Sequence, residues 1–150
     1  MADESALDVA QQAWDRWVAA DLEGFLALWD ADGVWTMQGH SQISGSWRGL
    51  DEIAKVAQTA FEVSGGTLKA RPIELAAAGA DSVLGHFHVE ASRPDATLDQ
   101  DALQRFVVRN GKIAGMLRDV AYQANTPVFW RSMDMIGGKS SYWMGGAFND

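Results

Sequence analysis

The stretch VLGHFHVE, residues 83–90, sets two of the chain's three histidines two positions apart inside an apolar run. Imidazole can move a proton near neutral pH or ligate a metal. On a β-strand, His86, His88 and Glu90 share one face, and Val83, Gly85, Phe87 and Val89 share the other. A strand buries its more apolar face. Phe87 and Val89 are therefore expected inside, with the histidines outside, on solvent or on a subunit seam. A metal site wants three or four ligands, and only Glu90 and His40 stand out as extras. No metal is expected unless a second subunit brings its own pair across a two-fold axis.

His40 lies in the turn-like segment MQGHSQISG, beside Gln38, Gln42 and Ser44. A loop histidine titrates close to neutrality and can act as a general base; it is also an ordinary solvated turn residue. Asp99 and Asp101, two apart in TLDQDALQRF, share a strand face. Paired carboxylates can split their pKa values and exchange protons, but Leu103 and Arg105 mark that face as the outer one. No nucleophile elbow, phosphate-cradling glycine loop or zinc-binding helix is present, and no cofactor is implied.

The elements that must hold these groups fit one domain. The chain has 150 residues, 47% of them apolar and 21% charged, ordinary values for a globular protein. It has no cysteine, so disulfides, thiolate ligands and a Cys nucleophile are excluded. A formal net charge of −8 argues against nucleic acid or an anionic membrane as partner. The start, MADESALDVA, is acidic and lacks the pattern of a signal peptide or membrane span, so a cytoplasmic location is expected. Seven tryptophans, five of them within residues 14–47, suit either a bulky core or the wall of a cavity.

Residues 4–20 carry Leu7, Ala10, Trp14, Trp17 and Val18 at helical spacing. Asp21 can cap a short second helix, LEGFLALW, which DADG then stops. VWTMQG and ISGSWRG read as short strands. A third helix is predicted from Leu50 to Val63, ended by SGG. The period then changes to two, giving four strands near residues 67–79, 81–92, 101–110 and 112–123. The middle pair is joined through a polar loop holding Pro94, and the last pair by the hairpin signal RNGK. Helices followed by a run of antiparallel strands predict an α+β fold, with three N-terminal helices on one face of a curved sheet.

This order of elements, with AADLEGFLALWDADGVW, SWRGLDEIAKV and LQRFVVRNGKIAGM, resembles the nuclear transport factor 2-like superfamily. Its members include SnoaL-type polyketide cyclases, ketosteroid isomerase, scytalone dehydratase and limonene epoxide hydrolase. The resemblance covers about residues 5–123 and implies a cone whose sheet wraps an apolar pocket, often dimeric through the outer sheet face. Against the ketosteroid isomerase pattern, the hydroxyl donor falls at Trp17, the general base near Met37 and the protonated acid near Gln104. Methionine cannot take a proton, so that mechanism does not carry over. SnoaL-like cyclases place an acid on the final strand; Asp119 is one residue out of step with it, which puts Arg118 in the pocket unless a bulge restores the phase.

Residues from about 110 to 150 resemble a C-terminal segment of TldD/PmbA-type metalloproteases, carried by LRDVAYQ, NTPVFWRSMDMIGG and GGAFND. The protease's His/Glu metal motif is missing, so its activity does not follow. The expected organisation is a cone domain over 1–123 and an extension over 124–150 that packs on the domain or on a partner subunit.

The implied pocket walls are Trp14, Trp17 and Phe25 from the helices, and Trp35, Met37, Val83, Phe87, Gln104, Phe106 and Met116 from the strands. An aromatic pocket with few polar groups suits an apolar, cyclic small molecule. One expectation is acid/base chemistry of the isomerase, cyclase, dehydratase or epoxide hydrolase kind, using His40, Asp119 and Arg118. A second is a non-catalytic binding protein with the same pocket. A third is an interaction role for the Trp- and Met-rich tail. A homodimer through the outer sheet face accompanies all three.

Overall fold

The computed structural model describes residues 4–118. Asp119, the expected domain boundary near 123 and the tail resembling the TldD/PmbA segment lie outside the described residues.

Helix α1 (Ala6–Val18) starts where Ser5 accepts from the Asp8 amide and the Asp8 carboxylate accepts from the Ser5 amide, a reciprocal cap. Its apolar stripe buries Val9, Ala10, Ala13 and Trp14. Helix α2 (Leu22–Ala27) is capped by Asp21, whose carboxylate accepts from the Gly24 amide and also pairs with Arg16 at 2.8 Å. Helix α3 (Leu50–Val63) buries Ile53, Val56, Ala57 and Ala60. All three follow the apolar periodicity of the sequence, within a residue or two at the ends.

Six strands form one sheet: β1 (Trp29–Met37), β2 (Gly45–Arg48), β3 (Lys69–Ala77), β4 (Ser82–Arg93), β5 (Ala96–Arg109) and β6 (Lys112–Arg118). They lie in the order β2-β1-β6-β5-β4-β3. The α+β expectation holds, with one refinement: β1 pairs in parallel with β6, while every other pair is antiparallel. Register slips in β1–β6, β3–β4 and β5–β6 bend the sheet, and α1 packs against its concave side.

Two local readings change. DADG does not end the second helix in a turn; it lies within β1, where the register slips between Trp29 and Val34. The polar loop around Pro94 is a two-residue turn, Pro94 and Asp95, so β4 and β5 run on as 12- and 14-residue strands. Burial alternates along both. Val83, Phe87 and Val89 face inward from β4, and Ala102, Gln104, Phe106 and Val108 from β5.

Candidate functional site

Between the helices and the concave sheet face lies a cavity of about 30 Å³, room for about one water molecule. Helices α1 and α2 contribute Ala13, Trp14, Trp17 and Phe25. The sheet contributes Trp35, Ala70, Phe87, Val89, Gln104, Phe106, Met116 and Arg118, and Leu68 precedes β3. The aromatic rings brace one another. Trp17 meets the edges of Phe25 and Trp35 at 5.3 and 5.7 Å and stacks on Phe61 at 5.4 Å. Trp14 contacts Phe87 at 4.6 Å. Such pairs add stability beyond their buried area.

The polar groups of the wall are few. Gln104 is 5% exposed. The indole N–H groups of Trp14 and Trp35 are buried and have no partner among the described residues. An unsatisfied buried donor costs roughly 1–3 kcal/mol. The Arg118 guanidinium carbon sits 5.9 Å over the Phe87 ring, a cation–π distance. Arg118 reaches the cavity because β6 keeps its phase against β5 there: Gln104 pairs with Arg118 and Phe106 with Met116. No Asp, Glu or His lines the cavity among the described residues.

The other site candidates lie elsewhere. Met37 and Val83 are buried in the core, at 4% and 0% exposure, and do not reach the cavity wall. His40 is exposed in the connection between β1 and β2. Asp119 falls outside the described residues. Sequence reasoning placed Val89 on the inward face with Phe87 but did not name Ala13, Leu68 and Ala70 as wall residues. Strand parity with Phe87 finds Val89, whereas nothing local marks Leu68.

His86 and His88 point to the outer sheet face, as the apolar face of β4 requires, and there they meet the paired carboxylates. Asp101 bridges them, with Oδ2 at 3.0 Å from His86 Nε2 and Oδ1 at 2.8 Å from His88 Nδ1. His88 Nε2 also lies 3.1 Å from Asp99 and 3.3 Å from Glu90. Among the described residues no three His, Asp or Glu side chains are placed to hold a metal ion. The arrangement is a proton-linked clasp across β4 and β5. The Asp101 hydrogen bond, aided by the charges of Asp99, Asp101 and Glu90, raises the His88 pKa above its ordinary value. The His88 and His86 hydrogen bonds lower that of Asp101.

The raised imidazole stabilises the fold fully below its unfolded pKa of about 6.5 and loses that effect as pH rises through the folded value. The lowered carboxylate stabilises above its unfolded pKa of about 3.9 and loses its effect in stronger acid. The gap in melting temperature between the native chain and Asp101→Asn is therefore expected to be widest near pH 5 and to shrink as pH rises past 7. A gap that stays constant from pH 5 to 9 would show that His88 protonation contributes nothing.

Comparison with known proteins places this architecture. A structure from Xanthomonas campestris with a cystatin-like fold is 24% identical over 84% of this chain and 98% of its own, with a TM-score of 0.73. TerC, co-crystallised with polyporic acid, is 21% identical over 84% and 95%, with a TM-score of 0.67. RV0760c from Mycobacterium tuberculosis, in complex with estradiol-17β-hemisuccinate, is 19% identical over 78% and 95%, with a TM-score of 0.64. At these identities the likeness is one of fold. No curated protein matches the sequence. Residues 10–116, from within α1 to within β6, match the family described as a SnoaL-like domain, and the chain belongs to that family.

Proposed function

We propose that this protein binds a small hydrophobic ring compound between its helices and the concave face of its sheet. The observation that carries this reading is the cavity itself: an aromatic wall, two indole N–H groups without partners among the described residues, and no Asp, Glu or His from those residues. TerC and RV0760c, of similar fold, hold polyporic acid and estradiol-17β-hemisuccinate, which supports a small-molecule role for this pocket. At about 30 Å³ the cavity is smaller than any ring, so a ligand must push its wall outward. Trp17 and Leu68 are only partly buried, and they are the wall residues that give way in this reading.

Acid/base turnover is the catalytic extension of the same proposal, with Arg118 polarising the ligand and Asp119 or His40 moving the proton. A homodimer through the outer sheet face is proposed with it, on the exposed Leu84 and Leu103, 48% and 54% accessible; light scattering on the purified protein reads it directly.

One titration tests the pocket. 1-Naphthalenemethanol is expected to quench tryptophan fluorescence saturably and to raise the melting temperature as its concentration grows. Met116→Trp fills the cavity and is expected to abolish both effects. Absence of saturable binding to the native chain would refute the proposal. Recovery of the ligand chemically altered would select the catalytic version, and recovery unchanged the binding version.

A further inference from the structure

We infer that a ligand enters and leaves the cavity past Leu68, on a loop over residues 64–68 that opens at Gly65 and Gly66 and is held shut by the Thr67 hydroxyl. This route rests on the pocket reading above and adds how the pocket is reached.

The place of Leu68 singles it out. Among the described residues, it is the one cavity-wall residue outside a helix or strand. Trp17 is also partly buried, but it sits within α1, and its ring is braced by Phe25, Trp35 and Phe61. Moving Trp17 breaks three ring contacts, whereas Leu68 can move with its loop.

Both ends of that loop are fixed. Upstream, Arg93 Nη1 donates to the Val63 carbonyl at the end of α3, at 3.2 Å. Downstream, β3 enters its ladder at Lys69, opposite Glu90. Between them Gly65 and Gly66 hold φ of +65° and +76°, left-handed conformations that glycine adopts without cost from a side chain. A Cβ on Gly66 would meet nothing within 4 Å, so the turn has open space beside it. Two glycines in succession can absorb the dihedral change of a hinge.

Side chains close the loop. Thr67 Oγ1 accepts from the Ser92 amide at 2.7 Å, and it lies 2.8 Å from the Ser92 carbonyl and 2.7 Å from the Ser64 carbonyl. A hydroxyl has one proton, so those two carbonyls share it. The Leu68 amide donates to the Ser64 hydroxyl at 3.2 Å, which donates in turn to the Phe61 carbonyl at 2.7 Å. The contact between Thr67 and Ser92 is exposed, so water takes up the freed groups when it breaks, and the net loss is small. The loop therefore opens without unfolding α3 or β3.

Thr67→Val keeps the branched shape and removes the hydroxyl. In stopped-flow tryptophan fluorescence with 1-naphthalenemethanol, this variant is expected to bind and release the ligand about tenfold faster than the native chain. Its Kd is expected to stay within about twofold, because the same bonds shut the loop with and without ligand. Thr67→Ser keeps the hydroxyl and is expected to hold both rates within about twofold of native. Without ligand, the Leu68 amide is expected to exchange its hydrogen about tenfold faster in Thr67→Val, with Phe87 and Val89 unchanged. Native rates in Thr67→Val, a change confined to release, or unchanged exchange at Leu68 would overturn this route and leave the pocket reading standing. If the native chain does not bind the alcohol, both fall.

Discussion

Phe106→Ala is expected to destabilise the protein by about 3–5 kcal/mol, a large part of the 5–15 kcal/mol typical of a domain. Phe106 is 2% exposed. It is the centre of an inward rung in which Val83, Phe106, Met116 and Trp35 stand side by side on β4, β5, β6 and β1. Its neighbours are held by the sheet ladder and by the tryptophan cluster, so they cannot collapse into the space left behind. Chemical denaturation of Phe106→Ala beside Leu103→Ala checks this. Leu103 is the next-but-two residue of the same strand but faces outward at 54% exposure, and its truncation should stay within about 0.5 kcal/mol. Similar losses in the two variants would mean that the inner face of β5 is not a packed core. The Phe106 variant also enlarges the ligand cavity, so 1-naphthalenemethanol is expected to restore part of its stability.

How such a core can be read in advance depends on where the signal lies. Helices α1 and α3 and the inward faces of β4 and β5 follow from spacing alone, because amphipathic periodicity is a local property. The cavity wall follows where parity and an aromatic residue coincide, as at Phe87 and Phe106. Met37 shows the limit: its strand and its inward face were both legible, yet it packs into the core beside the cavity and not on its wall. Distinguishing the two requires knowing how the sheet bends.

The histidine clasp was hidden for a simpler reason. In an antiparallel pair joined by Pro94 and Asp95, the numbers of paired residues have a constant sum, so Arg93 opposite Ala96 fixes His88 opposite Asp101. Reading Pro94 as part of a longer loop removed that constraint. His86, His88, Asp99 and Asp101 were then two separate clusters with no reason to meet. The β1–β6 pair is harder still. It joins residues about 80 positions apart in parallel, and no local pattern announces such a contact.

Gly33→Ala tests that non-local junction and carries the second large expected effect, about 2–3 kcal/mol. Gly33 is buried within DADG, where β1 slips its register against β6. A Cβ there would stand 2.8 Å from the Trp29 ring, 3.0 Å from the Asp30 carbonyl oxygen and 3.0 Å from the Ile113 carbonyl oxygen. Two of these three atoms are backbone, and the strands carrying them are tied in place. The Gly33 carbonyl accepts from the Gly49 amide at 2.9 Å, and the Ile113 amide donates to the Leu28 carbonyl at 2.8 Å. Relief of the clash must open the β1–β6 seam, which positions Trp35 and Arg118 at the cavity. Gly111→Ala is the control. Gly111 has a φ of +70° and nothing within 4 Å of an added Cβ, so its cost is conformational only, about 1 kcal/mol. Urea denaturation should therefore rank Gly33→Ala well below Gly111→Ala in stability. Equal stabilities would show that the seam has slack and that the slip in β1 does not depend on the missing side chain.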